Sequence, residues 1–127
     1  MLFWSEGRKK KTAKSVVRDW EKKRVTNIVN DIAKIIPQHA PFLHDIAMSS
    51  LSNLINKNLV FLTGEPERVS KDLYSIVDTV KVNIGPGIPF IGKQFKISIN
   101  YNLKIDVKEK RIIEAKPDIG SLKIDFA

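Results

Sequence analysis

The sequence predicts an α+β fold of two layers, with two N-terminal helices packed on one face of a long-stranded antiparallel β-meander. Two patterns predict it. Apolar residues recur at helical spacing in the first 56 residues, whereas residues 95–107 alternate strictly between apolar and polar. Helices that precede a run of antiparallel strands are typical of this fold class, because each helix must bury its apolar stripe against the sheet.

The first helix is predicted over residues 13–36, where apolar side chains recur every three or four residues. Thr12 or Ser15 can cap its start, and Pro37 is expected to end it because proline lacks the N–H that would extend the helix. Charged residues outnumber apolar ones in the opening turns. We therefore expect the packed part to begin near Val16.

A second helix is predicted from Pro41, a favoured first-turn residue, to about Asn56. The connection between the helices is only three residues long, so the two helices should lie against each other. Residues 59–62, all apolar, predict a short buried strand, and residues 63–66 predict a turn. Residues 69–84 fit a helix as far as Asp78 or a strand throughout, and we favour a strand at least from Thr79.

Residues 95–107 form the clearest strand, with one face buried and the other in solvent. The charged residues 108–111 then reverse the chain. Ile113 and Ala115 have the opposite parity to the apolar residues that end the chain, at positions 122, 124 and 126. A turn or bulge at Gly120 and Ser121 must absorb that change.

The composition allows one compact domain of 127 residues and 14.4 kDa. The absence of cysteine excludes disulfides, iron–sulfur clusters, thiolate metal sites and cysteine nucleophiles. The net charge is +8, and residues 1–24 alone hold nine basic and three acidic side chains, or +6 of that total. We therefore divide the chain into a basic and flexible N-terminal arm, residues 1–14, and a single α+β domain, residues 15–127.

The order of residues at the N-terminus bears on localisation. Four apolar residues, 1–4, precede the basic run, whereas a signal peptide has its charges first and a longer apolar segment afterwards. No apolar run approaches the roughly 18 residues that suggest a membrane span. We expect a cytoplasmic protein.

Residues 87–94 match most of a phosphate-binding P-loop pattern, but Gln94 replaces the Ser or Thr that would hold magnesium, and a strand rather than a helix follows. This segment is better explained as a stiff connection between strands. The two histidines, His39 and His44, lack the spacing of known zinc sites. We predict neither a metal nor a cofactor, and we favour a non-enzymatic function.

The leading functional hypothesis is a small interaction or binding module whose basic N-terminal arm contacts an acidic partner. That partner is an acidic protein, an anionic membrane surface or a nucleic acid. The predicted contact residues are the basic side chains of the arm and the next turn: Arg8, Lys9, Lys10, Lys11, Lys14 and Arg18. The competing explanation is a solvated helix start that only keeps the protein soluble.

Three further possibilities follow from the same patterns. A carrier of an apolar or lipid-like ligand would hold it between helices and sheet, in a cavity lined by Ile28, Ile32, Ile99, Tyr101 and Leu103. An enzyme with an unrecognised active site would require two or more acid–base residues to meet: His39, His44, Asp45, Asp72 and Asp78. Long amphipathic strands also predict a homodimer formed through an unprotected strand edge.

Overall fold

A computed structural model describes residues 6–39, 48–84 and 95–126. Its first element is one long helix, α1, over Glu6–His39, which spans about 51 Å at the usual rise per residue. The helix begins earlier than the apolar stripe indicates, because Lys and Arg are good helix formers and Glu6 in the first turn favours the positive helix end. It crosses the predicted boundary at residue 14 without a break, and its packed part already includes the fully buried Ala13.

The expectation that Pro37 ends the first helix is wrong, since the helix continues to His39. Proline removes one backbone hydrogen bond from a helix. At Pro37 that loss falls within the last turn, where few helical bonds remain to be broken.

A second helix, α2, covers Met48–Lys57 and packs on α1 through the buried side chains of Leu51 and Ile55. Its end is capped by Asn58, whose side chain donates to the carbonyl of Leu54 at 2.8 Å. The predicted start of this helix at Pro41 lies outside the described residues.

The strands are β1 Leu59–Thr63, β2 Glu67–Arg68, β3 Leu73–Ile84, β4 Phe95–Asp106 and β5 Arg111–Phe126. They form one antiparallel sheet in the spatial order β1-β3-β4-β5, and the short β2 pairs with β3 beyond the end of β1. The predicted strand at residues 59–62 and the long strand at 95–107 are both present, with small differences at their ends. The expectation that residues 59–62 are buried is wrong, because they form an edge strand on which Val60 and Leu62 are more than half exposed.

The segment that fitted both helix and strand is a strand, β3, over Leu73–Ile84. Its even-numbered side chains are buried beneath the helices and its odd-numbered ones are half-buried or exposed. Asp78 follows this alternation and is fully buried, although a charged residue had broken the apolar pattern in the sequence.

The change of parity near the end of the chain is confirmed as a bulge in β5. Ser98 pairs with Lys123, but Asn100 pairs with Asp118, so β5 advances five residues while β4 advances two. The Ser121 hydroxyl holds this bulge, because it accepts from the amide of Asn100 at 2.8 Å and donates to the Asp118 carbonyl at 2.6 Å.

A second register shift in β5 lies between the pairs Lys104–Glu114 and Ile105–Ile112. Ile113 is the extra residue there and is 49% exposed. The two shifts keep Ile112, Ala115 and Ile124 opposite the buried face of β4.

Both helices lie on one face of the sheet, so the predicted two-layer α+β architecture is confirmed. The core is the apolar layer between them. On the helix side it is built from Ala13, Val17, Ile28, Val29, Ile32, Ala33, Ile36, Leu51 and Ile55, and on the sheet side from the buried residues of β3 and β4 and from Val107.

Gly64 provides a test of the packing between β1 and β3. Its amide donates to the Val77 carbonyl at 2.9 Å, and a Cβ at Gly64 would lie 2.8 Å from that same oxygen. Because the obstacle is backbone, Gly64→Ala should lower the free energy of unfolding by about 1–3 kcal/mol in urea titrations. The matched control is Gly120→Ala, where the nearest atom is a side-chain oxygen at 3.4 Å. Equal stability of the two variants would contradict this packing.

Candidate functional site

The start of α1 is attached to the sheet by a polar contact. The Tyr74 hydroxyl donates to Glu6 Oε1 at 2.7 Å, and Arg68 Nη1 lies 3.7 Å from Glu6 Oε2. Burial, followed by the Glu6 carboxylate, raises the pKa of Tyr74 to about 12. Tyr74 therefore remains a hydrogen-bond donor at neutral pH, and the first turn of α1 lies beside the beginning of β3.

This attachment creates a concave basic surface, which we name the lysine groove. Lys9 donates from Nζ to the Lys71 carbonyl at 3.0 Å and lies 3.5 Å from Asp72 Oδ1. The groove has a volume of about 440 Å³. It brings four ammonium groups and one carboxylate together, and its lining consists of Lys9, Lys71, Asp72, Val107, Lys108 and Lys110.

The turn between β4 and β5 fixes one wall of the lysine groove. Asp106 Oδ1 accepts from the backbone amides of Lys108 and Glu109, both at 3.0 Å. The Val107 amide donates to the Asp72 carbonyl at 2.9 Å, which ties this turn to the segment before β3. The lysines of the turn are therefore presented from a backbone held at both ends.

The six residues predicted to contact an acidic partner differ in exposure and in their ion pairs. Lys9 and Lys14 form ion pairs with the body, the latter with Glu65 at 3.1 Å. Lys11 and Arg18 are exposed and have no ion pair among the described residues. Lys10 is half-buried, and Arg8 is exposed but partnered.

Lys11 and Arg18 lie on one face of α1 together with Lys22, because their spacings of seven and four residues correspond to about two turns and one turn. All three side chains are exposed. We name them the basic face of α1. It runs along the helix for about 16 Å at the usual rise per residue.

The solvent face of the sheet carries a second basic hollow of about 360 Å³, in which three lysines meet Asp125. Lys81 and Lys123 both lie beside Ser98 across neighbouring strands, and Lys96 pairs with Asn83 and Asp125. Counting charges along the sequence made the body nearly neutral and missed both lysine clusters, because their members are distant in the chain. Among the local sequence patterns, the β-hairpin from β4 to β5 was the one that could have indicated these lysine clusters.

The five residues predicted to line an apolar cavity are all buried between the layers. Two grooves of about 280 and 180 Å³ meet this region between α1 and β5, and both are lined by Asp31, Tyr101 and Pro117. Ile99 lines the larger groove and Ile28 the smaller one, whereas Ile32 and Leu103 line neither. Trp20 contacts Tyr101 edge to face, with ring centroids 5.7 Å apart.

A buried carboxyl group lies in the middle of the interface between α1 and the sheet. Asp78 is fully buried and neither of its oxygens has a hydrogen-bond partner among the described residues. Its cross-strand neighbour Thr63 donates to Glu21 Oε2 at 3.2 Å. Burial, followed by the nearby Glu21 carboxylate, raises the pKa of Asp78 to about 8.

Asp78 and Glu21 are neighbouring carboxyl groups, and protonation of the buried Asp78 removes the repulsion between them. Two ionised carboxylates can only accept hydrogen bonds, whereas a protonated Asp78 can donate to Glu21. Asp78 is therefore expected to hold a proton at neutral pH. The sequence did not indicate this pair, since its members are 57 positions apart.

The residues considered for catalysis are not brought together where they are described. Asp72 is in the lysine groove, while Asp78 is buried under α1. His44, Asp45 and the P-loop-like residues 87–94 lie outside the described residues, which contain no group of three or more metal-binding side chains.

Neither a model of a known protein family, nor a curated protein sequence, nor a solved structure matches this chain. The fold and site define its class only as an α+β protein with helices on one face of an antiparallel sheet and a lysine groove at one end. No helix in the described residues is long and apolar enough to cross a membrane.

The buried carboxyl pair predicts how stability depends on pH. The pKa of Asp78 rises from 3.8 to about 8 on folding, so the native state holds more protons than the unfolded state between these values. Stability should therefore fall as pH rises from 4 to 8, by at most about 1.4 kcal/mol per pH unit, and level off above 8. Asp78→Asn should reduce that slope, because its amide can donate to Glu21 and does not ionise.

Chemical unfolding at a series of pH values would measure this effect. Asp19→Asn is the matched control, because it removes an exposed carboxylate from α1, two residues before Glu21. The control should keep the wild-type slope. If the free energy of unfolding depended on pH equally in wild type and in Asp78→Asn, Asp78 would not be the group that holds the extra proton in the folded protein.

Proposed function

We propose that this chain is a small non-enzymatic binding module that contacts an acidic partner through the lysine groove and the basic face of α1. The observation that carries the proposal is the convergence of lysines from three separate segments at the start of α1. The proposed partner is an acidic protein, an anionic membrane surface or a nucleic acid, and the proposed location is the cytoplasm.

Charge and shape support the proposal together. The lysine groove is lined by four lysines and a single carboxylate. An anionic group bound there is attracted by the lysines and offsets the repulsion among them. The positive end of the α1 dipole adds to the same field. The basic face of α1 extends this surface over a length that suits a partner with repeated negative charges.

A second candidate is a carrier of an apolar ligand, favoured by the two grooves beside Tyr101 between α1 and β5. The proposed lining remains Ile28, Ile32, Ile99, Tyr101 and Leu103. For a ligand to contact all five residues, the side chains that line the two grooves must move so that the buried Ile32 and Leu103 become accessible. We also propose self-association of the chain through an edge strand of its sheet.

The lysine groove can be tested with Lys108→Gln/Lys110→Gln, two exposed positions outside the core. Binding at low salt would be measured to a fluorescent single-stranded oligonucleotide, to vesicles containing phosphatidylserine and to a polyglutamate peptide. A lysine near an anionic surface contributes about 1 kcal/mol, so the loss of two lysines should weaken binding of the preferred probe about 30-fold.

The matched control is Lys96→Gln/Lys123→Gln, which removes the same charge from the second basic hollow. It should weaken binding much less. Equal weakening by the two double variants would show that only net charge matters, and absence of binding to all three probes would overturn the proposal.

A further inference from the structure

The free edge of β1 has unpaired backbone groups in a defined pattern. Among the described residues, β1 is the first strand in the sheet and pairs only with β3. The Gly64 amide bonds to the Val77 carbonyl, and the Asn83 amide bonds to the Asn58 carbonyl. Because antiparallel ladders alternate, the even-numbered residues of this segment bond to β3. The N–H and C=O groups of Leu59, Phe61 and Thr63 therefore point away from the sheet.

The two edges of the sheet differ in how they discourage pairing with another strand. The edge strand β5 contains Pro117, two register shifts and several charged side chains. These are features with which proteins block edge-to-edge contact. In contrast, β1 has the sequence Leu-Val-Phe-Leu-Thr, with no charge, no proline and a continuous register against β3.

We propose that β1 pairs with β1 of a second copy of this chain, antiparallel and centred on Phe61. The backbone pattern requires odd-numbered residues to face odd-numbered residues, because only these have free groups on the edge. A two-fold axis at Phe61 places Leu59 opposite Thr63 of the second copy, so every free group of the strand is used. An axis at Val60 or Leu62 also pairs odd-numbered residues, but it leaves Thr63 or Leu59 without a partner in the strand.

The side chains of β1 complement this register. Val60 and Leu62 are 54% and 51% exposed on the solvent face of the sheet, beside Val77 at 44%. In the proposed pairing Val60 lies opposite Leu62 of the second copy, so the two small apolar patches become one. At both ends of the seam the same register brings the exposed Lys57, at the end of α2, toward the exposed Glu65 of the second copy, a carboxylate that also pairs with Lys14 of its own chain. Opposite charges therefore flank an apolar centre.

The register can be tested by cross-linking, since the chain contains no cysteine that would compete. In the proposed dimer residue 60 lies opposite residue 62 within the Cα separations that a disulfide tolerates, about 4.4–6.8 Å. A mixture of Val60→Cys and Leu62→Cys should form a heterodimeric disulfide under mild oxidation. Each variant alone should cross-link much more slowly, because its two thiols are diagonal across the seam. Faster cross-linking of either variant alone would overturn this register.

Self-association itself would be measured by sedimentation equilibrium over a wide range of protein concentration. Wild type should show a monomer–dimer equilibrium, and Leu62→Lys should shift it at least tenfold toward monomer because it places like charges on either side of the seam. Ile119→Lys is the matched control, an equally exposed apolar side chain on the other edge strand. It should associate as wild type does. A wild type that stays monomeric up to about 1 mM, the weak end of specific association, would overturn the proposal whatever the outcome for anionic probes.

Discussion

The packing of α1 along one face of the sheet is the interaction on which the rest of this structure depends. The helix contacts β1, β4 and β5 and also supports α2. It is held at its start by the hydrogen bond between Tyr74 and Glu6 and further along by the contact between Trp20 and Tyr101. Because α1 is anchored from its first turn, its lysines form a surface with the loops at that end of the sheet. The basic residues are thus part of the folded structure from Glu6 onward.

The same interface contains a group that opposes packing. Burying an ionised carboxylate costs several kcal/mol unless it is paired with a cation. Neither oxygen of Asp78 has a hydrogen-bond partner among the described residues. A proton on Asp78 lowers that cost, but it makes the packing of α1 on the sheet depend on pH. An apolar residue at position 78 would have continued the core of β3. The structure therefore combines an apolar interface with one ionisable pair at its centre.

The sequence predicted those parts of the fold that depend on local pattern. The alternation in β4, the bulge near Gly120 and the two-layer architecture all follow from period and parity. The extension of α1 past Pro37 could not be predicted from the proline alone, because the cost of proline depends on where the last turn falls. The burial of Asp78 likewise depends on Glu21 and Thr63, which only the folded chain brings near it.

The candidate site was predicted only in part for the same reason. The basic run included Lys9, and Lys71, Lys108 and Lys110 line the same groove only through the tertiary fold. Two of the predicted contact residues, Lys9 and Lys14, instead form ion pairs with acidic residues of the body. Position along the chain therefore indicated where charge is abundant, whereas the fold determines which charges face one surface.

Amide hydrogen exchange at residues 10–16 tests most directly whether the basic segment is part of the folded structure. If α1 is attached from Glu6 onward, these amides should be protected nearly as well as those of residues 24–30 in the same helix. Exchange at the rate of an unstructured peptide over residues 10–16, with protection beginning only beyond Val16, would contradict the account. The lysine groove would then not exist as a preformed surface.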